Sequence, residues 1–162
     1  MKALIVYDSV FGNTEQVARA MTQAIGAGMD PAWEALAVKV DAVGSEHLED
    51  VALLVVGSPT RVFRPTPALS SWVKSLPENS LQGVRVAAFD TRLPPENAPA
   101  PLRLLIKLFG WAAKPIANGL TKRGGELVAE PEGFLVTGTE GPLKEGELER
   151  AEAWAREIAA EH

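Results

Sequence analysis

Residues Tyr7–Ala18 read YDSVFGNTEQVA, and this stretch separates two different hydrophobic patterns. The residues before it, Ala3–Tyr7, form a short apolar run, whereas apolar residues recur at helical spacing from Val17 onward. The change of period predicts that a strand ends here and a helix begins, joined by a loop of small polar residues. Asn13 is predicted to cap the helix, because Gln16 follows it at the spacing of a capping box.

Apolar runs and helical patterns alternate along the rest of the chain. Strands are predicted at Ala3–Tyr7, Leu36–Val40, Val51–Val56, Val84–Phe89 and Gly133–Val136, with a short piece at Leu127–Val128 before the last. Helices are predicted at Thr14–Ile25, Pro67–Leu76 (capped by Thr66), Leu102–Ala113 and Gly146–Ala160. This alternation favours an α/β fold in which helices cover both faces of a parallel sheet. We expect residues 1–162 to form one domain.

The loop Ser9–Thr14 has features of a phosphate site. It lies where a parallel strand ends and a helix begins, so unpaired backbone N–H groups and a partial positive charge are expected there. Its small residues allow an anion to approach, and Ser9, Asn13 and Thr14 add side-chain donors. The lysine of a triphosphate-binding loop and the glycines of a dinucleotide fingerprint are absent. The loop therefore fits either a single phosphomonoester held without a metal, or an ordinary turn.

Composition excludes several classes of site. The chain has no cysteine, which rules out disulfides, thiolate metal sites and cysteine nucleophiles, and it has only two histidines. A net charge of −5 argues against nucleic-acid binding. No apolar run approaches the length of a transmembrane segment, and the N-terminal run is too short for a signal peptide. We therefore expect a cytoplasmic protein.

Charge is distributed unevenly. Residues 98–125 contain no acid and five cations, namely Arg103, Lys107, Lys114, Lys122 and Arg123. Residues 126–162 contain ten acids and three cations. The basic segment is either a set of solvated helix faces or a docking patch for an anionic partner or membrane surface.

Two further loops extend the pattern: GSPTRVFRPTPAL follows the third predicted strand and DTRLPPENA follows the fourth. With the first loop, they make the chain resemble the flavodoxins, small FMN-binding redox proteins. Ser9, Gly12, Asn13 and Thr14 match the family's T-x-T-G-x-T phosphate loop, with Phe11 in place of a usual Thr. Gly57-Ser58-Pro59-Thr60 matches its G-[ST]-P-[TI] motif. The resemblance covers the whole chain and implies a flavodoxin-like three-layer sandwich whose five-stranded parallel sheet has the family's strand order, 2-1-3-4-5.

The same resemblance implies FMN as the cofactor and a transient redox protein as the partner. It assigns the phosphate to Ser9, Phe11, Gly12, Asn13 and Thr14, with only the backbone N–H of Phe11 available. It places Pro59, Thr60, Arg61, Val62 and Phe63 on one side of the flavin ring. On the other side it places Asp90, Thr91, Arg92 and Leu93. It implies no catalytic residue and no metal ligand.

Aromatic and glycine positions depart from the family pattern. Many flavodoxins stack a third-loop Tyr on the ring, but the only tyrosine here is Tyr7, inside the first strand. Phe63 either stacks on the ring or covers the adjacent helix. Trp111 either shields the ring or packs in the core, and the core is the preferred alternative. No glycine lies between Thr60 and Pro67, so the peptide flip that stabilises one-electron reduced flavin in the family is disfavoured, because other residues resist positive φ.

The ring-flanking loops are also more basic than is usual in the family. Arg61, Arg64 and Arg92 all lie in them. One guanidinium pointing inward would make the flavin easier to reduce, whereas three solvated arginines would have little effect. Asp90 bonds either the flavin edge or a neighbouring backbone N–H.

Three functions are compatible with these residues. The first is an FMN electron carrier that shuttles electrons between redox partners. The second is an FMN-dependent oxidoreductase of the same fold, of the quinone or protoporphyrinogen type, with a small-molecule electron acceptor. The third is a binding module that has lost flavin. Carrier is the preferred hypothesis.

Overall fold

The computed structural model describes residues 1–61 and 63–160. Its strands are β1 (Lys2–Tyr7), β2 (Glu34–Lys39), β3 (Val51–Pro59), β4 (Arg85–Arg92), β5 (Glu126–Leu127) and β6 (Glu132–Leu135). Its α-helices are α1 (Asn13–Gly28), α2 (Pro67–Ser75), α3 (Ala100–Phe109), α4 (Ala113–Lys122) and α5 (Glu147–Ala160).

All strands run parallel in one sheet of order β2-β1-β3-β4-β5, and this confirms the predicted strand order. The fifth position is shared by two short strands. β5 pairs with Arg85 and Val86, at the start of β4, whereas β6 pairs with its last four residues, Phe89–Arg92. Pro131 lies between the two pieces and has no N–H to donate to the ladder. This explains why the predicted short piece stands apart from the last strand.

Helices cover both faces of the sheet, as the alternating pattern predicted. One core cluster joins one sheet face to α1 and α5, and the other joins the opposite face to α2 and α4. Successive strand residues enter opposite clusters: Ile5 packs in the first and Val6 in the second. The described side chains of α3 belong to neither cluster, so this helix lies outside the three-layer sandwich.

The start of α1 differs from its prediction. The cap position is Gly12, at φ 92°, and no side chain caps the helix. Asn13 is already helical, and its Nδ2 donates to the carbonyl oxygen of Glu140 at 3.0 Å. The predicted capping box is therefore wrong, because a tertiary contact uses the Asn13 side chain. The cap of α2 is confirmed: Thr66 Oγ1 accepts from the Leu69 amide.

The predicted helix Leu102–Ala113 is also wrong, because two helices occupy this region. Gly110 has φ 73° and ends α3, where its amide donates to the carbonyl of Ile106. The chain turns and α4 begins at Ala113. Apolar residues continue through the break, so their pattern alone does not reveal it. The glycine is required at the break because its φ lies in the left-handed region.

We expect Gly57→Ala to lower the free energy of unfolding by about 2 kcal/mol. Gly57 faces Phe89 across the β3–β4 ladder, and an added Cβ would lie 2.0 Å from the Phe89 ring. That ring is fully buried and contacts Phe134 edge-on, with ring centroids 5.9 Å apart, so it cannot move freely. Urea denaturation measures the effect.

Gly26→Ala in α1 is the matched control. Its Cβ would meet only the Cβ of Ala35, at an ordinary 3.8 Å. Alanine is the better helix former, so this change should leave stability unchanged or raise it by about 0.5–1 kcal/mol. Equal unfolding midpoints for Gly57→Ala and the wild type would contradict the packing argument.

A buried carboxylate fastens α5 to the sheet. The Glu147 oxygens accept from the Leu135 amide at 2.7 Å and from Arg150 at 2.7 and 3.1 Å. Burial by itself raises the pKa of Glu147, but the bonds from Arg150 and the Leu135 amide outweigh it and hold the pKa below the ordinary value. Glu147 therefore contributes stability above its unfolded-state pKa, and this contribution is lost as pH falls through the lower folded-state pKa.

We expect Glu147→Gln to destabilise the protein by about 1–2 kcal/mol at neutral pH. The difference from the wild type should shrink as pH falls below the ordinary glutamate value of 4.5, because the wild-type carboxylate becomes protonated first in the unfolded state and then, at lower pH, in the folded state. Denaturation curves at several pH values measure it. Glu149→Gln, at an exposed position in the first turn of the same helix, is the control and should cost no more than about 0.5 kcal/mol, because only a solvent-screened interaction with the helix dipole is lost. A difference that persists undiminished in acid would refute the charge assignment.

Candidate functional site

A cavity of about 430 Å³ opens at the carboxyl edge of the sheet. Its walls come from the loops that follow β1, β3 and β4, from α3 and Trp111, and from residues after β6. The strand order reverses between β1 and β3, which is where ligands bind in open α/β sheets. The volume lies within the range of small-molecule sites, and most of the lining is apolar, as such sites usually are.

The cavity brings together most of the residues that the sequence assigned to the cofactor. The predicted residues that line it are Ser9, Phe11, Asn13, Thr14, Pro59, Thr60, Arg61, Phe63, Thr91, Arg92 and Leu93. Gly12 belongs to the same loop but does not line the cavity, and neither does Asp90. Val62 lies outside the described residues.

Side chains behind the first loop fix its shape. The Asp8 carboxylate accepts from the Ser9 amide at 2.9 Å and from the Thr66 hydroxyl at 2.5 Å. The Ser9 hydroxyl oxygen in turn accepts from the amides of Gly12 at 3.1 Å and Glu15 at 3.3 Å. Asp8 and Ser9 therefore join the loop to the start of α2. Because the Ser9 oxygen accepts both of these bonds, its own proton stays available for a ligand.

Four backbone amides of this loop have no acceptor within residues 1–61 and 63–160: Val10, Phe11, Asn13 and Thr14. They lie at the N-terminus of α1, where the helix dipole adds partial positive charge. Gly12 permits this arrangement because it has φ 92°, a left-handed conformation that other residues resist. The space beside it is open, since a Cβ there would meet nothing within 4 Å. These four amides can donate hydrogen bonds to a phosphate group, and the described residues that line the cavity include no Asp or Glu to repel it.

Two predicted side-chain donors of the loop have partners in the protein. The side-chain Nδ2 of Asn13 donates to the Glu140 carbonyl oxygen. The Thr14 and Thr91 hydroxyls, both buried, lie 2.8 Å apart and share a hydrogen bond. These contacts tie the first loop to the loop after β6 and to the end of β4. The capacity of the loop to hold an anion thus rests mainly on its backbone.

The second loop contains a tight turn. The amides and carbonyls of Arg61 and Arg64 pair in both directions, at 2.8 and 3.0 Å. Phe63, within the turn, has φ 66°, which is uncommon for a residue other than glycine. The absence of glycine therefore does not keep positive φ out of this loop. Phe63 lines the cavity, in agreement with the ring-stacking alternative for its side chain.

The three arginines of the ring-flanking loops have different surroundings. Arg64 is exposed and does not line the cavity. Arg61 is also exposed, and its guanidinium lies 5.9 Å from the centre of the Phe11 ring. Arg92 is largely buried and forms part of the cavity wall. Among the three, Arg92 is therefore the cation that can influence a ligand in the cavity most strongly.

Arg92 is held by two neighbours. Its Nε and Nη2 donate to the Asp90 carboxylate at 2.6 and 2.7 Å, and its guanidinium lies 4.4 Å from the centre of the Trp111 ring. Asp90 is fully buried and also accepts from the Ala113 amide at 2.9 Å. Burial raises the pKa of Asp90, although the bonds from Arg92 and the Ala113 amide oppose this. Of the two alternatives for Asp90, the structure thus shows the bond to a neighbouring backbone N–H.

Sequence reasoning missed one wall of the cavity. The additional lining residues are Val10, Ala98, Pro99, Leu102, Ile106, Trp111, Val136 and Thr139. Of the two alternatives for Trp111, the preferred one, packing in the core, is wrong, because this side chain is half-buried and lines the cavity. Gly110, directly before Trp111, was the available signal, since a glycine there breaks the helix and turns the tryptophan towards the site.

Across the described part of the chain, no helix combines the length and apolar character needed to cross a bilayer.

The fold is similar to that of several solved redox proteins. Oxidised flavodoxin 1 from Bacillus cereus has a TM-score of 0.77 and 17% identity, over 100% of this chain and 99% of that chain. Oxidised flavodoxin 2 from the same organism has a TM-score of 0.75 and 23% identity, over 98% of each chain. Rubredoxin:oxygen oxidoreductase from Desulfovibrio gigas has a TM-score of 0.71 and 22% identity, over 98% of this chain and 35% of that chain.

Sequence comparison is more specific than this likeness of fold. No curated protein matches the chain significantly. The flavodoxin family profile matches residues 5–154, which is most of the chain. The chain therefore belongs to the flavodoxin family of FMN-binding electron-transfer proteins.

Proposed function

We propose that this protein is an FMN electron carrier that exchanges electrons with transient redox partner proteins in the cytoplasm. The observation that carries the proposal is the set of free amides at Val10, Phe11, Asn13 and Thr14, beside a cavity large enough for a small ligand. Backbone donors at a helix N-terminus suit a phosphate dianion without help from lysine or a metal. When bound, FMN supplies the redox chemistry, and the chain supplies its binding and surroundings.

The site residues follow from this proposal. The loop Ser9–Thr14 holds the phosphate, chiefly through its backbone amides. Residues 59–63 and 90–93 flank the ring. Within the second of these segments, Asp90 holds the Arg92 guanidinium in place and does not itself contact the ring. Phe63 and Trp111 are the aromatic side chains that line the cavity away from the phosphate loop, and we assign them to the shielding of the ring.

A titration with FMN and with riboflavin tests the cofactor assignment. We expect FMN fluorescence to be quenched, and FMN to bind at least about a hundredfold more tightly than riboflavin, which lacks the phosphate and leaves the loop amides unpaired. Thermal stability should rise with FMN concentration. A protein that neither quenches micromolar FMN nor gains thermal stability from it would be a module without flavin.

An oxidoreductase with a small-molecule acceptor is the second candidate. It is favoured by the apolar cavity wall of Leu102, Ile106 and Trp111, which offers contacts to an apolar acceptor. Photoreduction separates the two functions. Accumulation of one-electron reduced flavin is expected for a carrier, whereas direct two-electron bleaching with turnover of NAD(P)H and a quinone is expected for an enzyme.

A further inference from the structure

Helix α3 carries an apolar surface that the protein does not cover. Leu104 is 60% exposed and Leu108 is 68% exposed, and Leu105 beside them is 40% exposed. Leu102 and Ile106, on another face of the helix, line the cavity. Leu104 and Leu108 are one turn apart, so they form a continuous stripe on the outer side. Large apolar side chains clustered in this way mark an interaction site.

Two cations of α3 border this stripe, and a third follows on the next helix. Arg103 and Lys107 lie one turn apart on α3, and Lys114 lies in the first turn of α4. All three are exposed, and none forms a salt bridge within residues 1–61 and 63–160. Residues 98–125 contain no acid, and Glu96, in the short turn that contacts α3, forms no salt bridge with any of the three. The patch therefore has a positive potential, although the whole chain has a net charge of −5.

We propose that α3 docks the protein onto an anionic lipid bilayer. A helix with leucines on one face and basic residues beside them lies in the plane of the interface, with its apolar side chains below the headgroups and its cations near lipid phosphates. An acidic protein surface is the competing partner. Leucine is under-represented among binding hot spots and lysine is depleted at protein interfaces, so lipid fits these side chains better.

Docking through α3 would bring the cavity to the membrane, because Leu102 and Ile106 of the same helix form part of its wall. The redox partner would then be membrane-bound or dissolved in the lipid. This consequence rests on the proposed electron-transfer function, whereas the docking itself needs only the side chains of α3.

Co-sedimentation of the full-length, FMN-saturated protein with vesicles tests the docking. We expect binding to phosphatidylcholine vesicles that contain about one-third phosphatidylglycerol, and little binding to pure phosphatidylcholine. Leu104→Ser with Leu108→Ser should weaken binding at least about tenfold, since two apolar side chains no longer enter the bilayer. Leu36→Ser with Leu127→Ser changes two exposed leucines outside α3 and should leave binding unchanged.

A second pair of variants tests the charge contribution. Arg103→Glu with Lys107→Glu should reduce binding by more than about tenfold. Lys39→Glu with Lys144→Glu alters the net charge by the same amount at exposed positions elsewhere and should have a much smaller effect.

Three results would overturn the proposal: no sedimentation with anionic vesicles, equal sedimentation with neutral ones, or loss of binding on charge reversal with no effect of the serine changes. The last result would indicate a purely electrostatic surface suited to an acidic protein. Because binding is scored on protein in the pellet, the same assay works without flavin. Sedimentation by a protein that fails to bind FMN would refute the proposed function and leave the docking intact.

Discussion

Replacement of Val10 by Asp is expected to weaken FMN binding about a hundredfold while leaving the fold unchanged. Val10 is half exposed, lines the cavity and lies among the free amides of the first loop, so the change adds a charge without burying one. A carboxylate about 6 Å from a phosphate dianion, at an effective dielectric constant of about 40, repels it by roughly 3 kcal/mol. Fluorescence titration measures the loss.

Two controls separate charge from shape. Val10→Asn has nearly the same size as the Asp variant and no charge, so its affinity for FMN should stay within about threefold of the wild type. Riboflavin affinity should be the same in both variants, because riboflavin carries no phosphate. An equal loss of FMN and riboflavin binding in Val10→Asp would place the effect at the ring and contradict the phosphate assignment. Higher salt should reduce the difference, since this loop is exposed to solvent.

The sheet could be predicted because its signal is local. Strands such as β3 are buried on both faces, so their residues form an unbroken apolar run that needs no partner to be recognised. The strand order followed from resemblance rather than from physical reasoning, since apolar runs do not determine which strands are neighbours. The free amides of the first loop were also expected, because a loop that joins a parallel strand to the N-terminus of a helix leaves backbone N–H groups without helical acceptors.

The parts that could not be predicted depend on contacts between distant residues. Asn13 has good capping chemistry, but a carbonyl 127 positions away uses its side chain, and Gly12 takes the cap position. Trp111 follows an apolar run typical of a core helix, yet the turn at Gly110 directs it to the cavity. The Asp90 carboxylate could bind Arg92, water or a ligand, and the sequence does not show which of these partners it takes. In the structure it pairs with Arg92.

The second large effect is expected at Asp90. Asp90→Ala should lower the free energy of unfolding by about 3–5 kcal/mol, because it leaves the mostly buried Arg92 guanidinium without a counter-charge and the Ala113 amide without an acceptor. The double variant Asp90→Ala, Arg92→Leu should be more stable than Asp90→Ala alone, since it removes the orphaned charge. Denaturant unfolding of Asp90→Ala, Arg92→Leu and the double variant measures the interaction energy of the pair. If the losses of the two single variants simply add in the double variant, Asp90 and Arg92 do not stabilise each other.

A milder change at the same position tests what the pair does for the cofactor. Asp90→Asn keeps an oxygen for the Ala113 amide but removes the negative charge that balances Arg92 in the cavity wall. The unbalanced guanidinium should stabilise the reduced, more negative flavin and raise its midpoint potential by on the order of 50 mV. Arg64→Gln is the control, because Arg64 is exposed and does not line the cavity. The flavin midpoint potential in this variant should match that of the wild type. A potential unchanged in Asp90→Asn would mean that Arg92 is screened from the ring, and the basic loops would then serve docking rather than redox tuning.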